Sequence, residues 1–89
     1  MTIVGTTREE VDRFVLETIA DVAAAEVAAV RQSTSLLDIY MDSLTLVAVV
    51  TRIEATYGAA FDADELAEIG SALTVGDVAA IVARKCEST

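Results

Sequence analysis

The sequence predicts an all-α protein, a small bundle of three long helices and one short helix. Apolar side chains, many of them Val, recur at spacings of three and four residues and not at the spacing of two that a strand requires. Proline is absent, so no residue forces a break in a long helix. Ala, the residue with the highest intrinsic helix propensity, is abundant. Each apolar helix face must pack against another, which favours a bundle around one core.

The first helix is predicted to begin after Thr7, because Thr7 and Glu10 have the spacing of a capping box. Apolar residues then repeat on one helix face, at Val11, Phe14, Val15, Ile19 and Val22. The helix is expected to end near Ala24 or Ala25, in an Ala-rich run that contains no stop signal.

A long connection is predicted over residues 26–42. Val27 and Val30 are expected to reach the core from it, and the polar run 31–35 interrupts the apolar pattern. A connection of this length is uncommon in a small domain and is often functional.

The second helix is predicted to begin at Asp42-Ser43, since both residue types suit a helix N-terminus, and to end at Gly58. Its apolar face consists of Leu46, Val49, Val50, Ile53 and Tyr57.

Two shorter patterns predict the remaining helices. Asp62 and Glu65 again have capping-box spacing and open a short helix that ends at about Ile69. The last helix begins at Thr74 and ends near Arg84-Lys85, where cations suit a helix C-terminus. Its apolar face consists of Val75, Val78, Ile81 and Val82.

The chain is short and acidic, with 89 residues and a formal net charge of −9. We expect one domain over residues 1–89, with a core over roughly 7–85. The negative charge disfavours nucleic acid and anionic membranes as partners. No uncharged stretch of about 20 residues and no signal-peptide pattern is present, so we expect a monomeric, cytoplasmic protein. The Met1 start and the short polar ends favour a free-standing chain.

The residue types that catalysis and metal binding need are scarce. The sequence contains no His and one Cys, Cys86, so Ser–His and Cys–His pairs and an internal disulfide are excluded, and a zinc site is disfavoured. Asp62, Asp64 and Glu65 lack the spacing of a calcium-binding loop. We therefore expect neither an enzyme nor a metal site.

The tripeptide Asp42-Ser43-Leu44 resembles the attachment site of acyl and peptidyl carrier proteins. Three flanking segments, 35–38, 53–58 and 74–78, also resemble this family, so the resemblance covers roughly residues 7–85. It implies a four-helix carrier bundle with a long loop between helices I and II. It also implies that Ser43, flanked by Asp42 and Leu44, covalently holds a 4′-phosphopantetheine taken from coenzyme A by a transferase.

Tyr40 departs from the family pattern, which usually has Gly three residues before the serine. If the family's Gly has a positive φ, Tyr40 carries strain there; otherwise the loop is built differently. The departure bears on which transferase and which partner enzymes recognise the loop.

The resemblance also implies that the second helix forms most of the partner interface. By position, the interface residues are Leu44, Val47, Ala48, Thr51 and Ala55, together with Tyr40. This face is apolar and small, with Glu54 as the nearest acid and Arg52 adding a positive charge. An exposed apolar stripe often marks a protein interface. The alternative is that Val47 belongs partly to the core.

These observations favour a free-standing acyl carrier protein of polyketide or related specialised-metabolite biosynthesis. Its expected partners are a phosphopantetheinyl transferase, an acyl- or aminoacyl-loading enzyme, and downstream synthase or tailoring enzymes. The absence of a Gly-Gly pair before Asp42 favours acyl cargo. Two alternatives remain open, a peptidyl carrier of a nonribosomal peptide pathway and a helical interaction domain without a prosthetic group.

Overall fold

A computed structural model describes residues 7–39 and 41–87, except for the side chain of Glu87. The helices are α1 (Arg8–Val22), α2 (Ser43–Tyr57), α3 (Ala63–Gly70) and α4 (Val75–Glu87). Two short 3₁₀ helices, Val27–Ala29 and Leu36–Ile39, lie between α1 and α2. The described residues form no strand, only one isolated antiparallel bridge between Ser35 and Thr74. The predicted all-α bundle, with three long helices, one short helix and a long loop after the first, is confirmed.

The start of α1 has the predicted cap, but its end differs from the prediction. Thr7 and Glu10 form the capping box. The helix ends at Val22, before the predicted Ala24 or Ala25. Ala24 has φ 56° and its N–H donates to the Asp21 carbonyl at 3.1 Å. With the 2.8 Å bond from the Ala25 N–H to the Ala20 carbonyl, this is a Schellman motif built without glycine.

The ends of the other helices follow their sequence signals closely. Gly58, with φ 64°, ends α2, because glycine adopts the left-handed conformation without a steric cost. Asp62 and Glu65 form the capping box of α3, which extends through Gly70. The last helix continues to Glu87, two residues beyond the predicted end at Lys85.

One hydrophobic core joins all four helices. Its largest fully buried side chains are Ile19, Ile53, Ile69, Val15, Val49, Val75, Val78 and Val82. The principal packing is between α1 and α4, and α2 packs against α1. Phe14 and Tyr57 add an edge-to-face ring contact between α1 and α2, with centroids 5.3 Å apart. Burial of each Val or Ile contributes about 1.5–3 kcal/mol, and this offsets the entropy lost when the helices dock.

The two valines of the connection have different environments. Val30 is buried, with 5% of its surface exposed, as predicted. The prediction that Val27 reaches the core is wrong, because 48% of its surface is exposed. The 3₁₀ helix Val27–Ala29 contains no buried residue, and the extended backbone at Val30 turns the chain back to the core.

None of the helices in the described part of the chain is both long and apolar enough to cross a membrane.

Candidate functional site

Two buried side chains hold the segment that leads to Ser43. Leu36 and Met41 are both in the core, and the Met41 N–H donates to the Leu36 carbonyl at 3.0 Å. The connection is therefore anchored immediately before the start of α2. Tyr40 lies outside the described residues, so the prediction of strain at that position stays a prediction.

Asp42 is the N-cap of α2. Its Oδ1 accepts hydrogen bonds from the Thr45 N–H and the Thr45 hydroxyl, both at 2.8 Å. The bond from the Thr45 N–H is the main cause that lowers the pKa of the Asp42 carboxyl. Asp42 is thus an ionised cap at neutral pH, and it leaves Ser43 at the first helical position without a capping role.

The Ser43 hydroxyl is available for chemistry. The residue is exposed, and no group in residues 7–39 or 41–87 forms a hydrogen bond with its hydroxyl. The first N–H groups of a helix and its macrodipole favour a negative group such as a phosphodiester at this end. An accessible hydroxyl at this position fits the attachment of a phosphate-linked group by another protein.

An apolar groove runs from Ser43 between α2 and α3. Its volume is about 330 Å³. It is lined by Ser43, Leu46, Val47, Val50, Thr51, Glu54, Leu66, Ile69 and Gly70. The sequence analysis missed the α3 wall of this groove. Leu66 and Ile69 have the spacing of one helix face, but only the packing of α3 against α2 places that face beside Ser43.

The residues predicted to face outward from α2 are exposed. The exposed fraction is 81% for Leu44 and 61% for Val47, so the alternative that Val47 is partly core is wrong. The side chains of Ala48, Thr51 and Ala55 are exposed as well. The Thr51 hydroxyl donates to the Val47 carbonyl at 2.8 Å, which satisfies its donor within the helix. These five residues are called the α2 face below.

The two charged residues near the α2 face form bonds elsewhere. Arg52, expected to add a positive charge to the face, forms an ion pair with Asp21 of α1. The Glu54 carboxylate accepts a hydrogen bond from the Phe61 N–H at 2.8 Å, in the turn before α3. The α2 face is therefore less charged than the sequence indicated.

Sequence comparison with known families decides what kind of site this is. The profile of the family described as "Phosphopantetheine attachment site" matches residues 13–82, well over half of the chain. The chain belongs to this phosphopantetheine-binding family. Its members are carriers on which 4′-phosphopantetheine is attached covalently. The carrier resemblance predicted from the residues around Ser43 is thus confirmed at the level of the family.

A curated relative of this carrier is the "Non-reducing polyketide synthase tazA" of Aspergillus terreus (strain NIH 2624 / FGSC A1156). The two are 35% identical over 74 residues, which is 83% of this carrier and 3% of the synthase. The carrier therefore spans a small part of the length of that relative. No solved structure gives a significant match to this chain.

Proposed function

We propose that this protein is an acyl carrier of polyketide or related specialised-metabolite biosynthesis and that Ser43 holds its phosphopantetheine arm. The observation that carries the proposal is the exposed Ser43 hydroxyl at the first position of α2, which bonds to no described residue, in a chain of the phosphopantetheine-binding family. When bound, the arm supplies a terminal thiol that carries an acyl group as a thioester.

Attachment requires only a nucleophilic oxygen from this chain. The Ser43 oxygen bonds to the phosphorus that bears the pantetheine half of coenzyme A, and the phosphoanhydride bond breaks. Adenosine 3′,5′-bisphosphate leaves, and the hydroxyl proton passes to a base of the transferase. The chain has no His, and no described side chain bonds to the hydroxyl, so the base comes from the partner enzyme. This division of roles agrees with a carrier that is not itself an enzyme.

Two observations favour acyl over aminoacyl cargo. The groove that begins at Ser43 has apolar walls from Leu46, Val50 and Leu66, which suit an acyl chain. The Glu54 carboxylate on its wall already accepts a hydrogen bond from the Phe61 N–H. The curated relative is named as a polyketide synthase. A peptidyl carrier remains the alternative function, and an interaction domain without a prosthetic group is disfavoured by the family match.

Intact mass tests the site directly. After incubation with coenzyme A and a broad-specificity phosphopantetheinyl transferase, the purified protein should gain the mass of one phosphopantetheinyl group. Ser43→Ala should show no gain, because the nucleophile is removed. Ser33→Ala, at an exposed serine of the same connection, should be modified like the native chain.

Two results would contradict this proposal. A mass gain that survives Ser43→Ala would place the arm on another residue. No gain on the native chain, with this transferase and with a second one chosen because Tyr40 replaces the usual Gly, would reject the carrier function.

The α2 face is proposed as the docking surface for the transferase and the synthase enzymes. Val47→Asp should raise the KM of the transferase for the carrier roughly tenfold, the effect of losing about 1.4 kcal/mol of binding. Helicity should not change, because Val47 is exposed. Val27→Asp is the matched control, since it makes the same change at an exposed valine outside the α2 face. Equal KM values for the two variants would reject the surface.

The free-standing state, the monomer and the cytoplasmic location stay predictions. Light scattering on the purified chain tests the monomer, and the mass of the protein isolated from its source tests the free-standing state.

A further inference from the structure

The connection between α1 and α2 is bonded to the start of α4. The Val75 N–H donates to the Thr34 carbonyl at 3.1 Å, and the Gly76 N–H donates to the Gln32 carbonyl at 2.8 Å. The first N–H groups of a helix have no partner within the helix, and here carbonyls of the connection accept from two of them. These bonds join the segment that precedes Ser43 to a helix distant in sequence.

At Gly76 the backbone of α4 lies close to the connection. A Cβ atom added at Gly76 would lie 3.0 Å from the Gln32 carbonyl oxygen and 3.5 Å from the Gln32 Cβ. The first of these is a backbone atom, so a side-chain rotation cannot relieve the contact. A side chain at this position would therefore require the backbone at Gln32 to move by a few tenths of an ångström.

Gln32 is held from its other side as well. Its Nε2 donates to the Asp12 carbonyl of α1 at 3.1 Å, and this bond is partly buried. A movement of Gln32 away from Gly76 would therefore strain its bond to α1. The residue is fixed between the two helices that form the principal packing of the core.

Further backbone contacts link the connection beyond Gln32 to Met41, two residues before Ser43. The Leu36 N–H donates to the Leu73 carbonyl at 2.9 Å, beside the bridge between Ser35 and Thr74. The Leu36 carbonyl in turn accepts from the Met41 N–H. Met41 is two residues before Ser43 and is buried, so the position of the connection determines where the start of α2 is presented.

We propose that Gly76 is a positioning residue for modification of Ser43, acting through its close contact with Gln32. The inference rests on the proposed role of Ser43. It assigns a function to a residue that lies in another helix and does not line the groove at the attachment site.

The test compares Gly76→Ala with Val82→Ala in the full chain. Alanine has a higher helix propensity than glycine, so Gly76→Ala should not weaken α4 itself and should act by displacing the connection. We expect kcat of the transferase on this variant to fall roughly tenfold, because a nucleophile out of place lowers the rate of the bound complex. The KM for the carrier should stay within about twofold, because four of the five residues of the α2 face lie beyond the displaced residues 41–44.

Val82→Ala is the control for a merely structural effect. Val82 is fully buried in α4, so this change lowers stability by leaving a cavity, but it leaves in place the bonds that Val75 and Gly76 make with the connection. It should leave kcat unchanged at temperatures where the protein is folded. Amide NMR spectra of the unmodified proteins give a second readout, in which residues 41–44 should shift in Gly76→Ala and not in Val82→Ala.

Failure of the positioning role of Gly76 and failure of the proposed role of Ser43 give different results. If Gly76→Ala has the native kcat, or shows only a higher KM, or leaves the amide resonances of residues 41–44 in place, the positioning role is rejected. If the native chain is not modified at all, the role of Ser43 is rejected, since no modified residue is then left for Gly76 to position.

Discussion

Asp42 and Ser43 are sequence neighbours with separate tasks. The Asp42 carboxylate caps α2 through Thr45, and the Ser43 hydroxyl has no bond to any described residue. If Ser43 were the cap, its oxygen would accept a backbone hydrogen bond and would have to release it on modification. The cap on Asp42 thus leaves the Ser43 oxygen without a capping bond, as the proposed attachment requires.

The Asp42 cap should make α2 sensitive to acid. Its folded-state pKa is below its value in the unfolded chain, because the Thr45 N–H bonds to the ionised carboxylate. The stabilisation of the folded state by the ionised Asp42 cap is therefore fully present at pH values above the pKa of the unfolded state. It is lost as the pH falls through the pKa of the folded state. Thermal midpoints measured by circular dichroism should fall with decreasing pH in this window.

The variant Asp42→Asn distinguishes the loss of the Asp42 cap in acid from the effect of removing one negative charge. Asn caps a helix nearly as well as Asp and does not titrate, so this variant should lose less of its thermal midpoint in acid than the native chain. Asp38→Asn removes the same charge from an exposed position in the connection and should follow the native curve. Parallel curves for all three proteins would contradict the assignment.

The end of α1 contains a residue whose backbone conformation is energetically unfavourable. Ala24 occupies the left-handed conformation that glycine usually provides in a Schellman motif. A residue with a Cβ pays about 1–2 kcal/mol there. The motif persists because it satisfies carbonyls at the end of α1 and lets the chain turn toward the connection.

Ala24→Gly should stabilise the protein by about 0.5–1 kcal/mol, since relief of strain exceeds the added entropy of the unfolded chain. Urea denaturation measures this change. Ala55→Gly, at an exposed position inside α2, should destabilise the protein by about 0.5–1 kcal/mol. A loss of stability in both variants would show that the conformation of Ala24 carries no cost.

Elements with local signals could be predicted from the sequence. Thr7, Asp62 and Gly58 act within one helical turn of their own positions, and the structure confirms the helix ends that they predict. The end of α1 could not be predicted in this way, because Ala24 belongs to a residue type that rarely ends helices. Ala24 is exposed, and its conformation accompanies the two hydrogen bonds of the Schellman motif and the packing of its neighbours Ala23 and Ala25 against the core.

The candidate site likewise has features that local sequence predicts and features that depend on contacts between helices. Asp42-Ser43-Leu44 and the exposed side of α2 follow from residue type and helical spacing. The α3 wall of the groove and the contact of Gly76 with Gln32 depend on helices that meet only in the folded chain. Nothing in the sequence near Gly76 identifies Gln32 as its neighbour.

At the scale of the whole molecule, charged contacts and apolar contacts occupy different surfaces. The ion pairs between helices join α1 to α2 through Asp21 and Arg52, and α3 to α4 through Glu68 and Arg84 and through Glu65 and Lys85. Asp21–Arg52 and Glu68–Arg84 are at least half-exposed, where an ion pair contributes little to stability, whereas Glu65–Lys85 is partly buried. Stability therefore rests mainly on the core, and the α2 face stays apolar and exposed.

The two valines of the connection should differ in their contribution to the stability of the core. Val30→Ala should cost about 1–2.5 kcal/mol, because it removes buried methyl groups and leaves a cavity. Val27→Ala should change the free energy of unfolding by no more than about 0.5 kcal/mol, because that side chain is half-exposed. Urea denaturation of both variants measures the difference. Equal costs would mean that Val27 also contributes to the core.

The bonds between Gln32, Thr34 and the start of α4 join parts of the chain that are made at different times during synthesis. Ser43 is joined to the growing chain before Val75 and Gly76 are. Until α4 forms and docks, the connection lacks the partners that hold it in place. A nascent chain would thus present its serine on an unanchored segment, and the transferase would act efficiently only on a completed, folded bundle.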